Sequence, residues 1–171
     1  MRFLTTLLLL GALALGQTNE EDDIREAVFR HQFEHNASGQ KQNANAYYLC
    51  GPGKNRDLPA DFMKRFATHK PPVRICSASH YDPNYGLVDN KTGRTGLSFH
   101  LGDVKWTSDS EVEVQGGYYE GNMSSSNNTY SVRKQNGKWV VTQDVMNTIA
   151  SRYPSRNAAA GSMRAARRAG M

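Results

Sequence analysis

Residues 130–142 are Tyr130-Ser-Val-Arg-Lys-Gln-Asn136-Gly137-Lys-Trp-Val-Val-Thr142, a pattern typical of two strands joined by a tight turn. Apolar residues occupy alternate positions on both sides of Asn136-Gly137. Because successive side chains of a strand point to opposite faces, each half of this segment can bury one face. Asn-Gly favours a two-residue hairpin turn, in which both central residues need a positive φ. The segment therefore predicts an antiparallel β-hairpin.

The same alternation extends toward the N-terminus of the chain. Within residues 97–101, apolar side chains stand at every second position, and Gly102-Asp103 is expected to form a β-bulge. Further strands are predicted over residues 73–77 and 111–119, with a turn at 124–128. A hairpin is predicted from residues 86–89 through a turn at 90–93 to residue 94 onward. The second half of the chain is therefore predicted to be a run of antiparallel strands.

Two helices are predicted before these strands. Residues 19–35 place acidic side chains in the first turn, where negative charge suits the helix dipole, and apolar residues such as Ile24 and Val28 on one stripe. A short strand over residues 46–50 separates this segment from a second helix that opens at Asp57-Leu58-Pro59. This order predicts an α+β fold, with the N-terminal helix and a second short helix packed on a curved antiparallel sheet.

The closing hairpin, Tyr130 to Thr142, resembles that of the nuclear transport factor 2-like, or cystatin-like, superfamily. In that superfamily too a long amphipathic first helix precedes a curved antiparallel sheet, and the resemblance covers about residues 19–150. It implies a cone-shaped pocket. The superfamily includes isomerases, dehydratases, polyketide cyclases, transport factors and accessory domains, so the resemblance implies no particular activity.

Three regions are expected along the chain. Residues 1–16 have Arg2 followed by an apolar run too short to span a bilayer, which predicts a signal peptide cleaved after Gly16 and a secreted or periplasmic protein. Residues 17–150 form the predicted domain. Residues 151–171 are basic and are expected to be a disordered tail, with contact to anionic surfaces as the alternative.

The formal net charge of +5 comes from the two ends of the chain. Residues 17–150 contain 15 basic and 16 acidic side chains, so the folded body is nearly neutral. Its charge therefore gives no indication of nucleic-acid binding.

The chain has two cysteines, Cys50 and Cys76, an even number that allows both to pair in a disulfide. An exported protein meets oxidising surroundings, in which disulfides persist. We expect a disulfide between neighbouring strands or between a strand and its flank. Two buried free thiols on neighbouring strands are the alternative.

The pattern His31-Gln-Phe-Glu34-His35 resembles the inverted zinc-peptidase motif, in which two histidines one helical turn apart hold zinc. Glu111 or Glu113 lies far enough along the chain to be a third ligand. Those peptidases are far larger than this chain, however, and histidines four residues apart often cover the edge of a core. We therefore expect no catalytic metal at His31 and His35.

His100 stands on the polar side of a predicted strand and could form an acid–base pair with Asp103 or Asp144. Alternatively, it is a solvated sheet residue. Tyr118 and Tyr119 could form the floor of an apolar pocket beside it. No nucleophile elbow, phosphate loop or dinucleotide-binding motif occurs in the sequence, and no cofactor is predicted.

The sequence therefore favours a non-catalytic accessory domain that binds a small apolar ligand or a protein partner at its sheet, through Tyr118, Tyr119 and His100. The alternative is a small isomerase or dehydratase that uses His100 with Asp103 or Asp144. An oligomer is compatible with either interpretation.

Overall fold

The structure is a computed structural model of the chain, and it describes residues 20–37, 43–121 and 124–151. The predicted signal segment lies outside these residues. So does the predicted basic tail, except for Ser151, which belongs to the last strand.

Two helical segments precede most of the sheet, as the sequence predicts. The first, α1, covers residues 20–31 and continues as a π-helical turn, Gln32–Asn36. The second, α2, is short, Ala60–Met63, and continues as a 3-10 turn, Lys64–Phe66. Another 3-10 turn, Cys76–Ala78, follows the third strand. The packing of α1 and α2 on one face of the sheet confirms the predicted α+β class.

Nine strands follow one another along the described residues. They are β1 (Tyr47–Gly51), β2 (Arg56–Asp57), β3 (Val73–Ile75), β4 (Ser79–Asp82), β5 (Gly86–Asp89), β6 (Leu97–Ser108), β7 (Glu111–Gly121), β8 (Ser124–Gln135) and β9 (Lys138–Ser151).

Seven of the strands form one large sheet in the order β2-β1-β6-β7-β8-β9, with β3 also paired to β1. The pairings from β6 to β9 are antiparallel, whereas β1 pairs in parallel with both β3 and β6. The sheet is therefore mixed and mostly antiparallel. Register shifts interrupt the β6–β7, β7–β8 and β8–β9 pairings, including the predicted bulge between Leu101 and Val104, and such bulges bend strands.

One predicted turn is wrong. Residues 124–128 belong to β8 and pair with β7 and β9. The hairpin predicted from Gly86 is present in short form: Val88 bridges Thr95 in antiparallel fashion, and the Gly96 amide donates to the Leu87 carbonyl at 3.0 Å. On its other side, β5 pairs with β4 in a separate two-stranded sheet.

The two faces of the large sheet are buried in different ways. The face under the helices forms the main core. α1 contributes Phe29 to it, the π turn contributes Phe33, α2 contributes Phe62, and the sheet contributes Phe99 and Tyr130. The opposite face carries a smaller cluster of Ala46, Tyr48 and Leu87, with Ala78 and Tyr119 packed against it. We call this opposite face the outer face. Side-chain alternation along each strand sends one set of residues to each cluster.

A buried acid fixes the turn that follows β5. Asp89 accepts a hydrogen bond from the Tyr48 hydroxyl at 2.8 Å, pairs with Arg74, and also accepts hydrogen bonds from the amides of Lys91 and Thr92. The hydrogen bond from Tyr48 and those from the turn hold the pKa of Asp89 well below its usual range, against the effect of burial. The carboxylate therefore stays ionised and ties the β4–β5 ribbon to the large sheet.

Candidate functional site

A cleft of about 630 Å³ opens on the outer face of the sheet. The Cys50–Cys76 disulfide, Leu87 and the ring of Tyr119 supply apolar lining, and His100 and His80 supply ring nitrogens. The β4–β5 ribbon and the loop at residues 53–55 contribute the remaining walls. Its volume is within the range of about 300–1,000 Å³ that is usual for small-molecule sites.

Strand alternation and register explain why these residues meet. In β6, Leu97, Phe99 and Leu101 are buried in the main core, so Ser98 and His100 project from the outer face. The register places Cys50 beside His100, and Ser98 beside Tyr119.

The disulfide confirms the predicted pairing of Cys50 and Cys76, with Cα atoms 4.8 Å apart. Cys50 lies in β1, and Cys76 begins the 3-10 turn directly after β3, the parallel neighbour of β1. The bond is therefore between a strand and the flank of its neighbour. It forms part of the cleft lining.

His100 is partly buried, and none of the described residues makes a hydrogen bond with its ring nitrogens. Burial lowers its pKa below the usual 6.5 of histidine. At pH 7 the ring is therefore neutral and offers one N–H donor and one lone pair to the cleft.

His80 contributes a second imidazole, with a defined tautomer. The Asn90 side chain donates from Nδ2 to the carbonyl of Ser77 at 2.7 Å, which turns its Oδ1 toward His80. His80 Nδ1 lies 2.7 Å from that oxygen and must donate. In the neutral ring, Nε2 is therefore the nitrogen with a lone pair. His80 belongs to β4, where it pairs with Val88 of β5.

The predicted ligand-binding trio of Tyr118, Tyr119 and His100 is divided between the two faces of the sheet. Tyr119 lies beside His100 in the cleft lining, with its ring centroid 6.2 Å from that of Tyr81. Tyr118 is 7% exposed and belongs to the main core under the helices. Adjacent residues of a regular strand cannot share a face, so Tyr118 is absent from the cleft lining.

The predicted acid–base pairs of His100 are not brought together. Asp103 is exposed at the bulge of β6. Asp144 bonds to side chains of α1 and its π turn, on the helix-covered face, whereas His100 projects from the outer face. The sheet itself therefore separates His100 from Asp144.

Asp144 instead forms a polar cluster with α1, which we call the helix seam. Its Oδ2 accepts hydrogen bonds from His31 Nε2 at 3.1 Å and Asn36 Nδ2 at 2.7 Å, and its Oδ1 accepts one from Asn128 Nδ2 at 2.6 Å. Burial would raise the pKa of Asp144, but these hydrogen bonds outweigh it and lower the pKa. The seam therefore contains an ionised carboxylate bonded to an imidazole.

Gln32 extends the helix seam into the core. It is fully buried, and its Nε2 donates to the Tyr130 hydroxyl at 3.2 Å and to the backbone carbonyl of His100 at 3.3 Å. Gly116 permits this approach, since a Cβ there would lie 3.0 Å from Gln32 Nε2 and 2.6 Å from Leu101. Sequence reasoning missed Gln32, although a polar residue four positions after Val28 on the inward stripe was a usable signal.

The predicted zinc motif has a different set of contacts. His31 bonds to Asp144, while His35 is exposed, with its Nε2 3.6 Å from Glu34. Glu111 and Glu113 alternate with core residues Val112 and Val114, so both project from the outer face of the sheet, away from the helix. Within the described ranges, no group of three side chains is arranged to hold a metal ion.

Comparison with known proteins gives no relative: no protein-family model, curated protein or solved structure matches this chain. Within the described part of the chain, no helix is both long and apolar enough to cross a membrane.

Proposed function

We propose that this chain is an exported domain that binds a small ligand in the outer-face cleft. The observation that carries the proposal is His100, a partly buried neutral imidazole that faces a 630 Å³ cleft and has no hydrogen-bonding partner among the described residues. A binding site typically combines apolar walls with a few polar groups that orient the ligand. Leu87, Tyr119 and the disulfide would provide the walls.

Export is part of the proposal. It is supported by the predicted signal peptide and by the Cys50–Cys76 disulfide, because disulfides persist mainly in oxidising compartments. We also propose membership of the nuclear transport factor 2-like superfamily. The support is the packing of a long first helix against a large, mostly antiparallel sheet.

Saturation-transfer NMR with phenol, cyclohexanol and benzoate as probes tests the binding proposal. At least one probe is expected to show saturable binding that is lost in Ser79→Trp, because Ser79 lines the cleft and an indole would fill it. The matched control is Ser108→Trp, a substitution at an exposed position near the end of β6. Binding that survives Ser79→Trp would contradict the proposal.

The helix seam favours a second candidate function, a small acid–base enzyme. The specific observation is the 3.1 Å hydrogen bond between His31 Nε2 and the Asp144 carboxylate, whose side chains remain 22% and 20% exposed. A carboxylate that orients an imidazole and stabilises its protonated form is a common arrangement for proton transfer. In this enzyme, the His31 imidazole would take a proton from the substrate, and the Asp144 carboxylate would hold the imidazole in position.

The second candidate predicts exchange of the α-protons of cyclohexanone for solvent deuterium, followed by NMR. Exchange should be lost in His31→Asn and Asp144→Asn. It should be retained in His80→Asn, since His80 lines the outer-face cleft, on the other side of the sheet. If cyclohexanone exchanges its α-protons no faster with the wild type than with His31→Asn, the helix seam does not catalyse this proton transfer, and the acid–base enzyme candidate loses its support.

A further inference from the structure

We propose that the ligand of the outer-face cleft is a neutral molecule rich in hydroxyl groups, of the size of one or two sugar rings. This inference rests on the proposed binding function and specifies its ligand. It is argued from the charge of the cleft lining and from the hydrogen-bonding states of its serines and histidines.

The charge of the lining argues against a charged ligand. It contains no aspartate or glutamate, so an ammonium group would find no carboxylate partner. Its one permanently charged side chain is Lys54, which is exposed in the loop at residues 53–55. Because His100 is neutral at pH 7, the inner part of the cleft offers no buried positive charge to an anion.

The serine hydroxyls of the lining act as acceptors toward a ligand. Ser77 donates its proton to Asp57 at 2.6 Å, Ser79 donates to the carbonyl of Cys76 at 3.0 Å, and Ser98 donates to the carbonyl of Tyr119 at 3.2 Å. Each of those partners can only accept, so each serine proton is already committed. Each oxygen keeps lone pairs for a donor from the ligand.

The histidines add to this excess of acceptors. In its neutral form, His80 donates the Nδ1 proton to Asn90 Oδ1 and keeps the lone pair of Nε2. His100 adds a second lone pair and the one imidazole N–H that no described residue uses. The serines and histidines of the lining therefore present five acceptor atoms and one N–H that no described residue uses. This set suits a ligand with several O–H groups, whereas a carboxylate beside these residues would meet mainly lone pairs.

The shape and apolar surface of the cleft fit the same class. Leu87, the disulfide and the Tyr119 ring form apolar surface beside the acceptors. A sugar ring has C–H faces that pack on such surface and a rim of hydroxyls that donate hydrogen bonds. The volume of about 630 Å³ leaves room for such a ring and its substituents.

The test is titration of the wild-type protein with methyl β-glucoside, cellobiose and maltose, alongside cyclohexanecarboxylate and cyclohexylammonium as charged ring probes. At least one of the three sugars is expected to bind saturably and more tightly than either charged probe. In His80→Phe, which keeps a ring but removes the Nε2 acceptor, its affinity is expected to fall about threefold to tenfold, as for the loss of one hydrogen bond. His35→Phe, on the exposed part of the π turn, is the matched control and should bind as the wild type does.

The outcomes separate this inference from the function on which it rests. Binding of a charged probe at the cleft without any sugar would overturn the ligand class and leave the binding function intact. Failure of all five probes, together with phenol and cyclohexanol, would overturn both. Sugar binding that is unchanged in both His80→Phe and Ser79→Trp would also overturn the inference, since the sugar would then lie elsewhere.

Discussion

Removal of the Cys50–Cys76 disulfide is expected to destabilise this domain substantially. The bond joins residues 26 apart in sequence. In the chain-entropy model, closing a loop of this length lowers the entropy of the unfolded chain by about 12 cal/mol/K, which is about 3.5 kcal/mol at room temperature. Single domains typically have about 5–15 kcal/mol of stability, so the loss is a large fraction of the total.

The assay is urea unfolding of the wild type and of the double variant Cys50→Ser/Cys76→Ser, followed by tryptophan fluorescence. Trp139 is 8% exposed and lies 5.6 Å from the ring of Trp106, so unfolding changes its surroundings strongly. The variant is expected to unfold with a free energy about 3.5 kcal/mol lower and with a larger m-value, because its denatured chain is less compact. Wild-type protein treated with a reductant keeps every sulfur atom and is the control.

A difference of less than about 1 kcal/mol between wild type and double variant would refute this reasoning about the disulfide. The same variant also bears on the cleft. β3 pairs with β1 over only three residue positions, so the bond is a major restraint on the wall that begins at Cys76. Ligand affinity is therefore expected to fall in the double variant even at temperatures where it remains folded.

Three further predictions concern the sheet and its ionisable groups. Gly117→Ala should destabilise the fold by more than about 2 kcal/mol in urea unfolding, because the added Cβ would overlap the backbone carbonyl of Ser126. In the control Gly102→Ala the added Cβ lies 3.5 Å from its nearest atom, so the free energy of unfolding should change little. The lowered pKa of Asp89 should make the domain less stable as pH falls below 3.8, the ordinary pKa of an aspartate, because the unfolded chain then binds a proton at this carboxylate more readily than the folded domain does. Asp89→Asn should reduce this dependence of stability on pH in acid unfolding. The imidazole of His100 should titrate with a midpoint below 6.5 in NMR. The unfolded chain then binds the proton at higher pH than the folded domain, so stability is lost as pH falls from about 6.5 through the folded pKa. A midpoint above 6.5 would contradict the burial of His100.

The elements with strong local signals could be predicted from the sequence. Asn136 and Gly137 adopt φ values of 51° and 78°, as the two-residue turn requires. The acidic first turn and apolar stripe of α1 were sufficient to locate that helix, and alternation placed the core residues of β6.

The errors arise where tertiary pairing outweighs local preference. Residues 124–128 are serines and asparagines, which favour turns, yet they form backbone pairs with both β7 and β9. Similarly, β4 has no apolar alternation of its own, and its register with β5 defines it. A polar segment can therefore form a strand when neighbouring strands supply partners for its backbone hydrogen bonds.

The cleft was predictable in part. Alternation along β6 placed His100 on the face opposite Phe99, and the same argument separates Tyr118 from Tyr119. The partner of Asp144 was not predictable, because His31 lies 113 residues away and meets it only when α1 packs on the sheet. Contacts over such separations depend on the assembled fold rather than on any local pattern.

The most direct measurement is a titration of ¹⁵N-labelled protein with phenol and with methyl β-glucoside, followed by ¹H–¹⁵N correlation spectra. The proposal predicts saturable shifts at the amides of Ser98, His100 and Tyr119 and in the segment at residues 77–80, all on the outer-face cleft. Shifts confined to the amides around His31 and Asp144 would assign binding to the helix seam instead. That result, or spectra unchanged by both probes, would contradict the account.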